Sequence, residues 1–301
     1  MSWYAVDALD DALDETRTLL IPVTVGVWLR LAVVSLFAGG AFGVRNPSLL
    51  ANLPPTWGVR GAVSYAPRLF LLAVVAVAVF VVVELLGSIL EFVLVEALRS
   101  RSVRLSSSFG RSVGLGFRLF GFRVALGVVV FVPVALVAAL LLTAVAGDSV
   151  LLAVAGVLLV PVVVLLALLV VLASAATTSF VVPLMQDRRV GVLDGWRAFW
   201  PVLEEELAQF GAYAVVRFAL AVLAGVATSI VAGVFAVPFA FATSALALGG
   251  QVAVVGFAFA AVLAFVGALA VLVVVRVPVV TYLRYHSLLV LDASDADFSL
   301  R

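Results

Sequence analysis

Six stretches of this chain, 19–43, 67–98, 119–146, 150–183, 207–240 and 251–283, run almost without charge for 25 residues or more. About 20 such residues as a helix cross the roughly 30 Å of bilayer hydrocarbon. Backbone N–H and C=O groups in lipid have no water to bond, so each run reads as a helix that satisfies them internally. The fold predicted is all-α: a polytopic transmembrane helix bundle of six spans. Several runs exceed the bilayer thickness and must tilt, kink or project from it. Pro133, Pro161 and Pro238 are the expected kink sites. Between the last two spans, 241–250 reads as a tight turn, with Gly249-Gly250-Gln251 as its signal, or as an extra short span.

Composition closes off other classes. Hydrophobic residues make up 65% and charged residues 12%, and the mean hydropathy is +1.31. Soluble domains run at about 45–50% and about 25%. The same composition excludes a nucleic-acid-binding domain, and net charge is only +1. With no Cys and a single His, His286, disulfides, thiolate sites and multi-His metal centres are excluded. We expect no catalytic residue, cofactor or metal. All 18 basic residues are Arg, a bias we read as codon usage in a GC-rich genome. The acidic start, with Asp7, Asp10, Asp11, Asp14 and Glu15, lacks the features of a cleavable signal. The first apolar segment is therefore expected to stay in the mature protein.

Arginine distribution orients the spans. Segments 1–18, 99–118, 184–206 and 284–301 carry Arg17, Arg99, Arg101, Arg104, Arg111, Arg118, Arg188, Arg189, Arg197, Arg284 and Arg301. The opposite side has Arg45, Arg60 and Arg68. This places both termini in the cytoplasm of a cell-membrane protein, with 44–66 as the long external loop. Its Pro54-Pro55 and Trp57 suggest a cap or an interfacial loop.

A short signature recurs in the odd-numbered spans: Arg30-Leu31-Ala32-Val33, Arg123-Val124-Ala125-Leu126 and Arg217-Phe218-Ala219-Leu220. The spacings are 93 residues (30 to 123) and 94 residues (123 to 217). Each Arg follows a cytoplasmic segment of mixed polarity, at 6–18, 103–118 and 190–207. The first alternates Ala5, Ala8, Leu9, Ala12 and Leu13 with aspartates, and the third carries Trp196, Phe199 and Trp200. Such segments fit helices lying in the membrane interface. The chain reads as one integral membrane domain, 1–301, of three parallel repeats (about 1–98, 99–183 and 184–301), each an interfacial helix followed by a transmembrane hairpin.

Arg30, Glu84, Glu91, Arg217 and Arg276 fall inside the spans. A charge at the bilayer centre costs about 2.5–3.5 kcal/mol on insertion scales, so these residues should face protein or water and find partners. Arg30 lies about 16 Å into its span, and Glu91 and Glu84 lie about 12 Å and 22 Å from the inner end of theirs. Glu84, Gly87, Ser88 and Glu91 share one helix face. Glu84 or Glu91 is predicted to pair with Arg30, as a register-fixing ion pair or as part of an ion path or anionic-lipid site. Arg123 is expected to snorkel at the interface in a structural role.

Other features read more plainly. Ala221, Gly225, Ser229 and Gly233, with Ser35, Gly39 and Gly43, suggest close helix packing within the bundle, or a dimer interface. Ser174, Thr177 and Thr178 are expected to bond back to their own helix. Arg99, Arg101 and Arg104 set topology or contact anionic headgroups. His286 reads as a lone interfacial residue, and Asp292, Asp295 and Asp297 as a solvated tail.

The opening MSWYAVDALDDALDETR, followed by Trp28-Leu29-Arg30-Leu31-Ala32, resembles an uncharacterised family of haloarchaeal multi-pass membrane proteins. More loosely, Phe180-Val181-Val182-Pro183 followed by 190–200 is similar to the membrane domain found beside some glycerophosphodiester phosphodiesterases. The first resemblance implies the plasma membrane of a salt-loving archaeon. Neither implies a catalytic residue, because the phosphodiesterase chemistry belongs to a separate soluble domain. The expected role is a non-enzymatic membrane protein that organises lipid or partner proteins, among them another membrane protein or a second copy of itself. The alternative is a transporter or channel for a small solute or ion with a path between the three hairpins.

Overall fold

The computed structural model describes residues 3–37, 59–101, 105–244, 249–294 and 298; side chains are described for these except at 59–69, 72, 73 and 105–107. Every regular element among them is helical. In chain order they are α1 (Tyr4–Leu20), α2 (Val25–Phe37), α3 (Val59–Arg99), α4 (Leu105–Ala146), α5 (Val150–Ala176), α6 (Val182–Arg188), α7 (Val192–Glu205), α8 (Leu207–Ser244), α9 (Gly250–Ala270) and α10 (Val277–Ser294). Two π-helical turns, Thr177–Val181 and Val271–Arg276, join α5 to α6 and α9 to α10 without a break in the helix.

Among the described residues, five segments are long and apolar enough to cross a membrane: Val74–Arg99, Ser108–Ala146, Val150–Arg188, Leu207–Ser244 and Gly250–Ser294. The expected first span differs. Helix α1 stops at Leu20, the chain bends through 21–24 around Pro22, and α2 is 13 residues long. Proline lacks an N–H and fixes φ, so a helix ends ahead of it. The rest of that run, with Gly39 and Gly43, lies outside the described residues. So do the backbone and side chains of the 44–58 part of the expected external loop, with Arg45, Pro54, Pro55 and Trp57. Helix α3 already includes 59–66, although the side chains of Arg60 and Arg68 are not described.

Pro133, Pro161 and Pro238 sit inside continuous helices. Between α4 and α5 a tight turn uses Asp148 at φ 47°, and Ser149 caps α5 by accepting a hydrogen bond from the Leu152 N–H. Before α9, Gly249 and Gly250 take φ of 70° and 59°, a region that favours glycine. The signal read there as a turn coincides with this helix start.

The chain forms two compact units. The first comprises Met1–Ala38, Val93–Phe109 and Trp200–Arg301, and the second Gly39–Phe92 and Gly110–Phe199. In the first, α1 lays Ala5, Ala8, Ala12, Thr16 and Leu20 inward and packs on α10. The apolar stripe read as a membrane-facing side thus meets protein, because alanines let two helices approach closely. In the second unit, α4 approaches α3 at Gly116, where a Cβ would stand 2.8 Å from the Ile89 Cα. Helix α7 closes on the turn after α5 at Gly195, where a Cβ would stand 2.8 Å from the Val181 Cγ1. The expected small-residue stripe on α8 does not pack in this way. Nothing lies within 4 Å of a Cβ built at Gly225 or Gly233.

Candidate functional site

The second unit buries an ion cluster. Glu84, Ser88 and Glu91 stand on one face of α3, as their i, i+4, i+7 spacing requires. Arg123 projects from α4 into the same place. Its Nη1 donates to Glu84 Oε1 at 3.5 Å and to Ser88 Oγ at 3.3 Å. Its Nη2 donates to Glu91 Oε1 at 3.2 Å and to Thr178 Oγ1 at 3.3 Å. Glu84 is 1% exposed, Glu91 0% and Arg123 7%. A guanidinium presents five N–H donors in a rigid fork, so one side chain can hold acceptors from three directions. Taking these charges out of water costs several kcal/mol per ion, which Coulomb attraction and hydrogen bonds offset only when the geometry is good.

The π-helical turn supplies the third wall. Such turns insert a residue into a helix and often occur at functional positions. Here Thr178 faces Arg123, while Thr177 bonds back to the Ala173 carbonyl at 2.7 Å and accepts the indole N–H of Trp196 at 3.0 Å. Of the two threonines expected to bond to their own helix, Thr177 does so and Thr178 accepts from Arg123. Phe180 stacks on Phe199 with centroids 5.1 Å apart, and Trp196 meets Phe199 edge-on at 5.9 Å. Helix α7 is thereby pinned to the turn that carries Thr178.

The structure thus brings together two of the five buried charges expected from sequence, Glu84 and Glu91. The cation it seats between them is Arg123, which is buried rather than snorkelling. Arg30, to which sequence reasoning gave these acids, is an exposed residue of the first unit. The signals for Arg123 were its place in the recurring Arg-x-Ala signature and the small Gly116 two turns earlier, which lets α4 lie against α3.

The remaining expected residues belong to the first unit. Arg276 ends the second π-helical turn and donates from Nε to the Ser35 carbonyl and from Nη2 to the Leu36 carbonyl, the latter at 3.4 Å. Those carbonyls sit in the last described turn of α2, so Arg276 ties α2 to the second π-helical turn. Arg217 donates to the Tyr213 hydroxyl at 3.0 Å. Arg101 pairs with Glu15, and the Arg99 guanidinium lies 5.3 Å from the centre of the Phe298 ring. Two of the three arginines expected at lipid headgroups thus also have partners within the protein, and the Arg101 side chain is still 60% exposed. The third, Arg104, lies outside the described residues, as do Ser102, Asp295, Asp297 and Arg301.

His286, read as a lone residue, has partners. It is 0% exposed, with Nε2 2.8 Å from the Ala5 carbonyl of α1. Its ring stacks with Tyr213 at 5.2 Å and with Tyr282 at 6.5 Å. A backbone carbonyl partner leaves no mark in the sequence, which is why spacing could not reveal it. Among the described residues no group of His, Asp and Glu could hold a metal ion.

A family model described as "Family of unknown function (DUF7544)" matches residues 3–301, and the chain belongs to that family. No curated protein and no solved structure matches it.

Proposed function

We propose that this member of the family is a non-enzymatic multi-pass protein of a haloarchaeal cell membrane that organises lipid or partner membrane proteins. In this reading it has six spans in three repeated units and both termini in the cytoplasm. One observation carries it. The most apolar windows of Ser108–Ala146, Val150–Arg188 and Leu207–Ser244 are almost wholly unburied. These segments present apolar flanks along their length, as a surface made for acyl chains or for another membrane protein does.

The test is purification in mild detergent, followed by identification of retained lipid and of membrane neighbours crosslinked in the cell. Tightly held anionic lipid is expected, and it should diminish when Arg99, Arg101 and Arg104 become Gln. Unchanged retention in that variant removes the lipid reading, and the absence of any reproducible crosslinked membrane partner removes the other.

A second reading, a transport path for an ion or small solute, is favoured by the Arg123–Glu84–Glu91 cluster, because ionisable groups inside a membrane mark such paths. The chain has no Cys, so a single introduced thiol reports cleanly. Labelling of Cys at Glu84, Glu91 or Arg217 by a water-soluble reagent supports a path, and uniform protection removes it.

A further inference from the structure

We propose that α1 is a proton-released clasp on the first unit, with His286 as its latch. Two residues one turn apart on α10 hold two carbonyls one turn apart on α1. The Tyr282 hydroxyl donates to the Leu9 carbonyl at 3.3 Å, and His286 Nε2 meets the Ala5 carbonyl at 2.8 Å. The two rings lie nearly parallel, 7° apart. Around them the α1 face is mostly alanine, which buries little apolar area per residue. The two polar contacts therefore carry an unusual share of the attachment.

A carbonyl only accepts, so Nε2 carries a proton, and a neutral docked ring is the Nε2–H tautomer. The other nitrogen, Nδ1, is buried and has no hydrogen-bond partner among the described residues. A second proton would have to sit there, without water and without an acceptor.

The charges around the ring do not help it. Helix α8 presents Tyr213 and the cation Arg217, which acts on His286 electrostatically. Helix α10 contributes Tyr282, Arg284 and Tyr285, whose hydroxyl is committed to the Leu98 carbonyl. On α1, Asp7, Asp10, Asp11 and Asp14 are exposed and Glu15 is paired with Arg101. Arg30 of α2 is exposed. Imidazolium thus forms when α1 lifts and water reaches Nδ1. Attachment is strongest above the ordinary histidine range and weakens as pH falls through it, because the released state binds the extra proton.

With a released-state pKa of about 6.5, the open population of α1 should rise about tenfold between pH 7.5 and pH 5.5. Hydrogen exchange of the full-length protein in nanodiscs, corrected for intrinsic rates, reads this directly in α1, with α4 as an unchanged control. H286Q keeps an N–H donor for the Ala5 carbonyl and cannot titrate, so its exchange should be flat across this range. A wild-type α1 indifferent to pH, or an equal rise in H286Q, overturns the proposal. If H286Q does not fold, NMR of the wild type decides. The imidazole signal of the chain's single His should titrate in step with α1 release, and titration at an ordinary pKa with α1 still docked overturns the clasp.

Discussion

Arg123 and Glu91 meet at 3.2 Å with both side chains buried, Nη2 to Oε1, across the contact between α4 and α3. Their charges are worth little as a stabilising pair in themselves, since a well-packed apolar pair of the same volume often does as well. Removing one partner is another matter, because breaking a buried ion pair from one side costs about 3–5 kcal/mol. Arg123→Gln should therefore reduce the monodisperse detergent-extracted yield severely, and more than Glu91→Gln, because it strips a donor from two acids at once. The double variant Arg123→Gln/Glu91→Gln should recover part of the loss. Size-exclusion profiles and thermal unfolding of the four proteins measure it. Additive losses in the double variant would show that the two side chains do not act as a pair.

The turn that carries Thr178 makes a second prediction. Trp196 donates to Thr177 at 3.0 Å, and a typical hydrogen bond contributes about 1 kcal/mol. Trp196→Phe and Thr177→Val should each lose roughly that amount, and the double variant should lose little more than either alone. The readout is a double-mutant cycle on thermal unfolding. A coupling term indistinguishable from zero would show that the indole N–H does not hold Thr177.

How much of this was legible beforehand depends on whether a feature is local. The apolar runs after the first and the Gly249-Gly250 signal are local, and long apolar helices and a glycine pair at positive φ appear there. The shared face of Glu84, Ser88 and Glu91 is local too, since helical periodicity alone sets it. Their partner is not local. Depth along a span ranks candidates by one coordinate, whereas Arg123 reaches the acids because α4, thinned at Gly116, is the helix beside α3. The alanine face of α1 was visible, but amphipathic periodicity does not say whether lipid or α10 covers it. The π-helical turns, the carbonyl partners of His286 and Arg276, and the burial they bring have no signature in residue type.

Arg276 gives a prediction about a boundary rather than a core. Its guanidinium satisfies carbonyls in the last turn of α2, and hydrogen bonds to charged groups contribute about 1.5–3 kcal/mol. Arg276→Met keeps the apolar stem and removes the donors. Backbone amides in the second half of α2 should then exchange at least about tenfold faster, while those of α4 stay as they were. Equal protection in both proteins would show that Arg276 does not hold α2.

Glycines supply the sharpest contrast, because the same substitution meets opposite surroundings on one helix. At Gly116 an added Cβ would stand 2.8 Å from the backbone Cα of Ile89, which cannot rotate away, so α4 and α3 must separate. That separation also lengthens the reach from Arg123 to Glu84 and Glu91. At Gly110 and Gly114 nothing lies within 4 Å, and replacing a helical Gly by Ala there gains about 0.5–1 kcal/mol from backbone entropy. Gly116→Ala should therefore destabilise by about 1–3 kcal/mol, as overpacked contacts do. Gly110→Ala and Gly114→Ala should be neutral or slightly stabilising. Thermal unfolding of the three single variants ranks them, and a Gly116→Ala protein as stable as the other two would mean that α4 does not lie against Ile89.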